Sequence, residues 1–143
     1  MKKRIFSFLT ALCLCLTLLP TMAAAEKTAG MATEVKTSDE LVGALADPNV
    51  TTIKLMRNIT VNATENVKEL TVDRPITLEK GGEDNSRVLY LYRPLTIAES
   101  GALTLKGGVF FYPYDRVTVN GSLTVGAGCE VIFEGNQSFL TIN

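Results

Sequence analysis

A short motif, in which threonine lies between two aliphatic residues, occurs eight times in this chain. Apolar and polar residues that alternate in this way are typical of a short β-strand with one buried and one exposed face. The repetition constrains the architecture more than the function, because what recurs is a packing pattern and not a set of reactive groups. The eight motifs begin at Ile59, Leu70, Ile76, Leu95, Leu103, Val117, Leu123 and Leu140.

Residues 1–25 have the features of a secretory signal peptide. Basic residues occupy positions 2–4, an apolar run extends from Ile5 to Leu19, and three alanines at positions 23–25 form a cleavage site. The apolar run is shorter than the roughly 20 residues that a membrane span needs. The sequence therefore predicts an exported protein, secreted or at the cell surface, with no membrane span after signal cleavage.

The predicted mature chain has 118 residues and is mildly acidic. The signal peptide contains three of the 14 basic residues and none of the 15 acidic ones, so the remainder has a net charge of −4. This charge provides no attraction to nucleic acid or to an anionic membrane. Cys129 is the one cysteine left, which excludes an internal disulfide, so a single packed core has to stabilise the domain.

The mature chain is predicted to begin with a flexible lead-in and a short helix. Residues 26–36 are mostly small or polar, which favours the flexible lead-in. Thr37 and Glu40 form a capping box, and Pro48 follows the end of the helix predicted over residues 38–46. A helix of about two turns is unstable alone. We therefore expect it to cap the strands that follow.

The spacing of the motifs predicts a solenoid. One series of motifs has spacings of 19, 22 and 23 residues, a second has a spacing of 20, and a third pair of apolar segments has a spacing of 22. Three short strands per repeat, joined by glycine-rich corners, indicate coils that stack on one another. The register of the first two coils, from Ile59 to Leu78, is left open. The series are Ile76, Leu95, Val117 and Leu140; Leu103 and Leu123; and Val109–Phe111 with Val131–Phe133.

Several longer segments carry a resemblance to a known group of proteins. They read TSDELVGALADPNVTTIKLMRNITV, VDRPITLEKGG, RPLTIAESGALTLKGG and VTVNGSLTVGAG. From Thr37 to Asn143 the chain resembles the right-handed parallel β-helix proteins of the pectate-lyase-like superfamily, which occur among exported and surface proteins of bacteria. The resemblance implies an all-β, right-handed parallel β-helix of about four to five coils over residues 37–143, with a short N-terminal capping helix. It implies a fold and not an activity.

An immunoglobulin-like sandwich is the rival fold, since it also consists of frequent short strands. The recurring corners and the predicted capping helix argue against it. The order of strand pairing separates the two, because a solenoid pairs each coil with the next whereas a sandwich has Greek-key crossings.

Histidine is absent from the chain, which excludes Ser-His-Asp and Cys-His triads and His-based metal sites. By resemblance, lyases and hydrolases of this fold use calcium held by aspartates, or paired acids, whereas the acidic residues here are scattered. No metal and no cofactor are therefore predicted. Two acid–arginine pairs remain as catalytic candidates, Asp115 with Arg116 and Asp73 with Arg74, and a structural ion pair at a corner is the favoured interpretation of both.

Four tyrosines are the candidates for ligand binding. Tyr90 and Tyr92 precede Tyr112 and Tyr114 by about one coil, so all four are predicted to lie along one side of the stack. Aromatic rings stack on the faces of sugars, which makes this side a candidate carbohydrate contact. Ordinary stacking of aromatic rings between coils is the alternative.

Taken together, the sequence predicts an exported, non-catalytic surface module, either a structural spacer or a binding platform for a polysaccharide or another cell-surface component. The alternative is a polysaccharide lyase or glycoside hydrolase that acts on acidic glycans. The last motif, Leu140–Ile142, begins a new coil without a capping element. This predicts a chain that continues beyond Asn143, or an end-to-end contact at that coil.

Overall fold

The computed structural model describes residues 30–63 and 66–143, so the predicted signal peptide lies outside the described residues. The described residues form one helix and thirteen strands. The elements are β1 (Met31–Val35), α1 (Ser38–Ala46), β2 (Val50–Leu55), β3 (Ile59–Val61), β4 (Leu70–Val72), β5 (Pro75–Lys80), β6 (Arg87–Leu91), β7 (Leu95–Ile97), β8 (Ala102–Lys106), β9 (Val109–Pro113), β10 (Val117–Val119), β11 (Ser122–Val125), β12 (Glu130–Val131) and β13 (Leu140–Ile142).

The strands form three sheets around one core. Sheet A has the order β1-β2-β5-β8-β11, sheet B the order β3-β6-β9-β12, and sheet C the order β4-β7-β10-β13. The chain passes from sheet A to sheet B to sheet C and returns to sheet A one strand further along, and every pairing among the described strands is parallel. The predicted parallel β-solenoid is thus confirmed, with about five turns. No helix among residues 30–63 and 66–143 is long and apolar enough to cross a membrane.

The predicted register was wrong in sheets A and C. Leu95 pairs with Leu70 in sheet C, whereas Ile76 pairs with Leu103 in sheet A. The Ile76 motif therefore belongs to the second series, and the Leu70 motif takes its place in the first. The cause is coil length, because long corners over residues 62–69 and 81–86 displace the early motifs from a constant period.

Sheet B departs from the predicted register as well. Phe111 pairs with Val131, so the offset between β9 and β12 is 20 residues and not 22. Val109, which was aligned with Val131, instead pairs with Arg87 in the preceding coil.

The pairing aligns the threonines of the repeated motif in columns. Their aliphatic neighbours point inward, and Ile97 and Leu105 are completely buried. The β-branched threonine favours extended backbone and leaves its hydroxyl outside the core. Sheet C carries Thr71, Thr96, Thr118 and Thr141 in register, and sheet A carries Thr52, Thr77, Thr104 and Thr124.

The N-terminal end of the solenoid is closed by α1 and β1. Helix α1 has the predicted bounds, and the Thr37 hydroxyl accepts a hydrogen bond from the backbone N–H of Glu40 in a capping box. The predicted flexible lead-in was wrong for Met31–Val35, which form β1 and pair with β2 in sheet A. Val35 explains the order of this segment, since it is 1% exposed and joins the core.

Candidate functional site

Arg74 is engaged by the capping helix. Its guanidinium donates to the carbonyl oxygens of Leu45 (2.9 Å), Ala44 (3.2 Å) and Val50 (3.1 Å), and also to that of Asp47. Its Nη1 also lies 2.9 Å from Oδ1 of Asp73, the acid predicted to act with it. The donors of Arg74 are thus directed at the C-terminal end of α1, where backbone carbonyls lack partners within the helix.

The second acid–arginine pair lies at a different corner. Oδ1 of Asp115 accepts a hydrogen bond of 2.7 Å from the backbone N–H of Arg116, and the Arg116 side chain is exposed. This corner joins sheets B and C, whereas Asp73 and Arg74 lie where the chain leaves sheet C for sheet A. The structure therefore places the two pairs at opposite ends of the sheet C strands and does not bring their carboxylates together.

Metal binding was examined over the same described ranges. Residues 30–63 and 66–143 contain no group of three or more His, Cys, Asp or Glu side chains that could hold a metal ion.

The four candidate tyrosines meet on the outer surface of sheet B, and we call this group the tyrosine strip. Tyr90 pairs with Tyr112 across β6 and β9, and their ring centroids are 5.3 Å apart with an angle of 39° between planes. Tyr92 stacks on Tyr114, with centroids 4.4 Å apart and an angle of 6°. Tyr90 and Tyr114 have centroids 6.4 Å apart. All four residues thus form one cluster that spans two coils.

The orientation of the rings determines what the strip offers to a ligand. The separation of Tyr92 and Tyr114 approaches the spacing of about 4.8 Å between neighbouring strands, so these ring planes lie across the solenoid axis. Their faces cover each other, and their hydroxyl-bearing ends face outward. A phenol hydroxyl donates one hydrogen bond and accepts others. The strip therefore presents hydroxyl groups, repeated once per coil, more than flat aromatic faces.

Glu134 extends the strip into the next coil. The hydroxyl of Tyr114 donates a hydrogen bond of 3.2 Å to Oε2 of Glu134. Desolvation, this hydrogen bond and the negative charge of Glu134 raise the pKa of Tyr114 to about 12. The Tyr114 phenol consequently stays protonated throughout the physiological pH range.

Sequence reasoning missed two members of this surface, Phe110 and Glu134. Phe110 lies on the same side of β9 as Tyr112, in a strand where Val109, Phe111 and Pro113 are buried and the two residues between them are not. The period-two alternation from residue 109 to residue 114 is the sequence signal that identifies Phe110. Glu134 had no such signal, because the register error in sheet B placed it opposite Tyr112.

The last coil exposes much of the apolar surface of the described residues. Of the six large hydrophobic side chains that are exposed there, four belong to this coil. They continue columns that are buried in earlier coils, since Leu140 pairs with Val117 and Ile142 with Val119. The four residues are Val125, Phe139, Leu140 and Ile142.

Comparison with protein families identifies the fold and its general role. Residues 32–107, more than half of the chain, match the family model of the pectate lyase-like adhesive domain. The chain belongs to this family. No curated protein and no solved structure shows a significant match. The matched segment of the adhesive domain extends from β1 to the end of β8, so it contains Asp73, Arg74, Tyr90 and Tyr92 and precedes the other four candidate residues.

Proposed function

We propose that this adhesive domain is an exported, non-catalytic module that binds a polysaccharide or another cell-surface component through the tyrosine strip. The observation that carries the proposal is the clustering of four tyrosines from two coils on one outer surface, with ring centroids 4.4–6.4 Å apart. Family membership supports an adhesive role, and an adhesive domain has to be exposed to its partner. The predicted signal peptide supplies the route to that exposure.

The geometry of the acid–arginine pairs favours binding over catalysis. Arg74 directs its guanidinium at α1, and the Asp115 carboxylate accepts from the backbone of its own corner. Glycoside hydrolysis generally requires two carboxyl groups that flank one bond at a separation of roughly 5–9.5 Å. Asp73 and Asp115 lie at opposite ends of sheet C and do not form such a pair. The lyase or hydrolase alternative thus receives less support than the adhesive one.

The experiment that tests the proposal measures glycan binding after hydroxyl removal. Tyr92→Phe combined with Tyr114→Phe keeps the stacked rings and removes both hydroxyls. We expect this variant to lose about tenfold or more in affinity for an immobilised plant or bacterial polysaccharide, since each lost hydrogen bond contributes roughly 0.5–1.5 kcal/mol. The matched control is Thr118→Ser on sheet C, which leaves the strip intact.

Two results would contradict the proposal. Binding that is unchanged in the double phenylalanine variant would exclude the hydroxyls of the strip as the contact. Release of unsaturated or reducing sugar ends from polygalacturonate, tested with and without calcium, would establish the enzymatic alternative instead.

We also propose an end-to-end contact at the last coil. Its support is the exposed apolar group Val125, Phe139, Leu140 and Ile142, together with the free edge of β11, β12 and β13 in all three sheets. Strand edges with neither charge nor proline invite pairing with another strand. Sedimentation of the protein and of an Ile142→Lys variant tests this, because the proposal requires association that the lysine weakens.

A further inference from the structure

The surface that carries the tyrosine strip has acidic groups on its outward positions. In the described strands of sheet B, the outward side chains are aromatic, aliphatic or hydroxylic, apart from Glu130, which pairs with Phe110. Glu134 adds a second carboxylate where it accepts from Tyr114. No basic side chain occupies an outward position of these strands. The outward residues are Thr60, Val88, Tyr90, Phe110, Tyr112 and Glu130.

The basic residues around this surface already have acceptors or lie beside an acid. Arg87 begins β6 on the inward side, is 8% exposed, and forms an ion pair with Asp84. Arg93 donates to the carbonyl oxygen of Ala63. Arg116 is exposed at the edge and is adjacent to the Asp115 carboxylate. These residues do not make the surface positive.

The hydroxyl of Tyr114 is oriented by its acidic neighbour. Because its proton is donated to Glu134, the lone pairs of its oxygen remain to accept a hydrogen bond from a ligand. A sugar hydroxyl is such a donor, and a sugar carboxylate is not. A carboxylate at this position would also face the negative charge of Glu134, and like charges at close range repel.

We infer that the tyrosine strip selects neutral polysaccharides over polyuronates, and that the bound chain runs along the solenoid axis. This inference rests on the proposed binding function and adds the class of ligand. The direction follows from the repeat, since the tyrosine hydroxyls recur once per coil at about the strand spacing of 4.8 Å. The selectivity follows from the two carboxylates and from the Tyr114 oxygen, which acts as an acceptor.

The test compares two ligands that differ in charge alone. An oligogalacturonate and its fully methyl-esterified form, of equal length, are titrated into the protein by calorimetry. We expect the ester to bind about tenfold more tightly at low salt, and the preference to shrink as the ionic strength rises. Glu130→Gln combined with Glu134→Gln should raise the affinity for the acid form towards that of the ester, because glutamine keeps the acceptor for Tyr114 and removes the charge.

The matched control is Glu99→Gln, at the exposed corner between sheets C and A, which should leave the preference unchanged. Equal or tighter binding of the acid form by the unmodified protein would overturn the selectivity and leave the binding function intact. A preference for the ester that survives the double glutamine change would also overturn it. If neither form binds, and neutral glucan and xylan oligosaccharides do not bind either, the proposed function itself fails.

Discussion

Nη1 of Arg74 donates a hydrogen bond of 2.9 Å to the carbonyl oxygen of Leu45, which joins the corner after sheet C to the last turn of the capping helix. The two residues are 29 positions apart in the chain. The same guanidinium reaches the carbonyl of Ala44 at 3.2 Å. One side chain thus satisfies several groups that a helix C-terminus leaves without partners.

Arg74→Ala should destabilise the domain by about 2–3 kcal/mol, because hydrogen bonds to a charged group are lost and carbonyl acceptors lose their partner. Urea denaturation followed by circular dichroism measures this change. Arg116→Ala, at an exposed corner, is the matched control and should alter the free energy of unfolding by less than about 0.5 kcal/mol. Equal effects of the two substitutions would show that Arg74 does not secure α1.

The solenoid was predictable because its signal is local and repeated. Threonine motifs at intervals near 22 residues define strands that pair with their own repeats. The early register was not predictable in this way, since the corner over residues 62–69 and the corner over residues 81–86 lengthen the first coils, whereas Gly107 and Gly108 form a short corner in the next. Motif spacing does not reveal which of two neighbouring motifs a long corner leads to.

The candidate site was predictable in membership and not in geometry. One-coil spacing brought Tyr90 beside Tyr112, as the sequence indicates. The near-parallel stacking of Tyr92 on Tyr114 depends on side-chain rotamers, which the sequence does not specify. The contact with Glu134 depends on an offset of 20 residues in place of 22, a difference of two residues that moves the carboxylate from Tyr112 to Tyr114.

The core and surface positions of one strand should differ sharply in sensitivity. Leu105 in β8 is 0% exposed, whereas its neighbour Thr104 lies in the outward threonine column of sheet A. Leu105→Ala should cost about 2–5 kcal/mol because it leaves a cavity in the core. Thr104→Ala should cost less than about 1 kcal/mol. Thermal melting of both variants checks the register, and similar losses would contradict it.

Two glycine-to-alanine changes should have opposite signs. A methyl group on Gly121 would lie 2.1 Å from the carbonyl oxygen of Gly101, so the stacked corners would have to separate. Gly121→Ala should therefore destabilise the domain by about 1–3 kcal/mol. Gly43 lies within α1 with nothing within 4 Å of the added methyl group. Gly43→Ala should stabilise the domain by about 0.5–1 kcal/mol, because alanine loses less backbone entropy in a helix. Denaturant midpoints of the two variants measure the contrast, and a shift in the same direction would contradict it.

The titration of Tyr114 provides a test of the contact with Glu134 in solution. Desolvation and the hydrogen bond to Glu134 raise the pKa of Tyr114 to about 12, above the value of 10.0 for an unperturbed tyrosine. Because the folded-state pKa is the higher one, this contribution to stability is complete below pH 10 and is lost as the pH rises towards 12. Ultraviolet difference absorbance should therefore show one tyrosine that ionises later than the others. Glu134→Ala should bring its pKa down, whereas Glu99→Ala, remote from the strip, should not; a late-ionising tyrosine that persists without Glu134 would show that the hydrogen bond does not contribute.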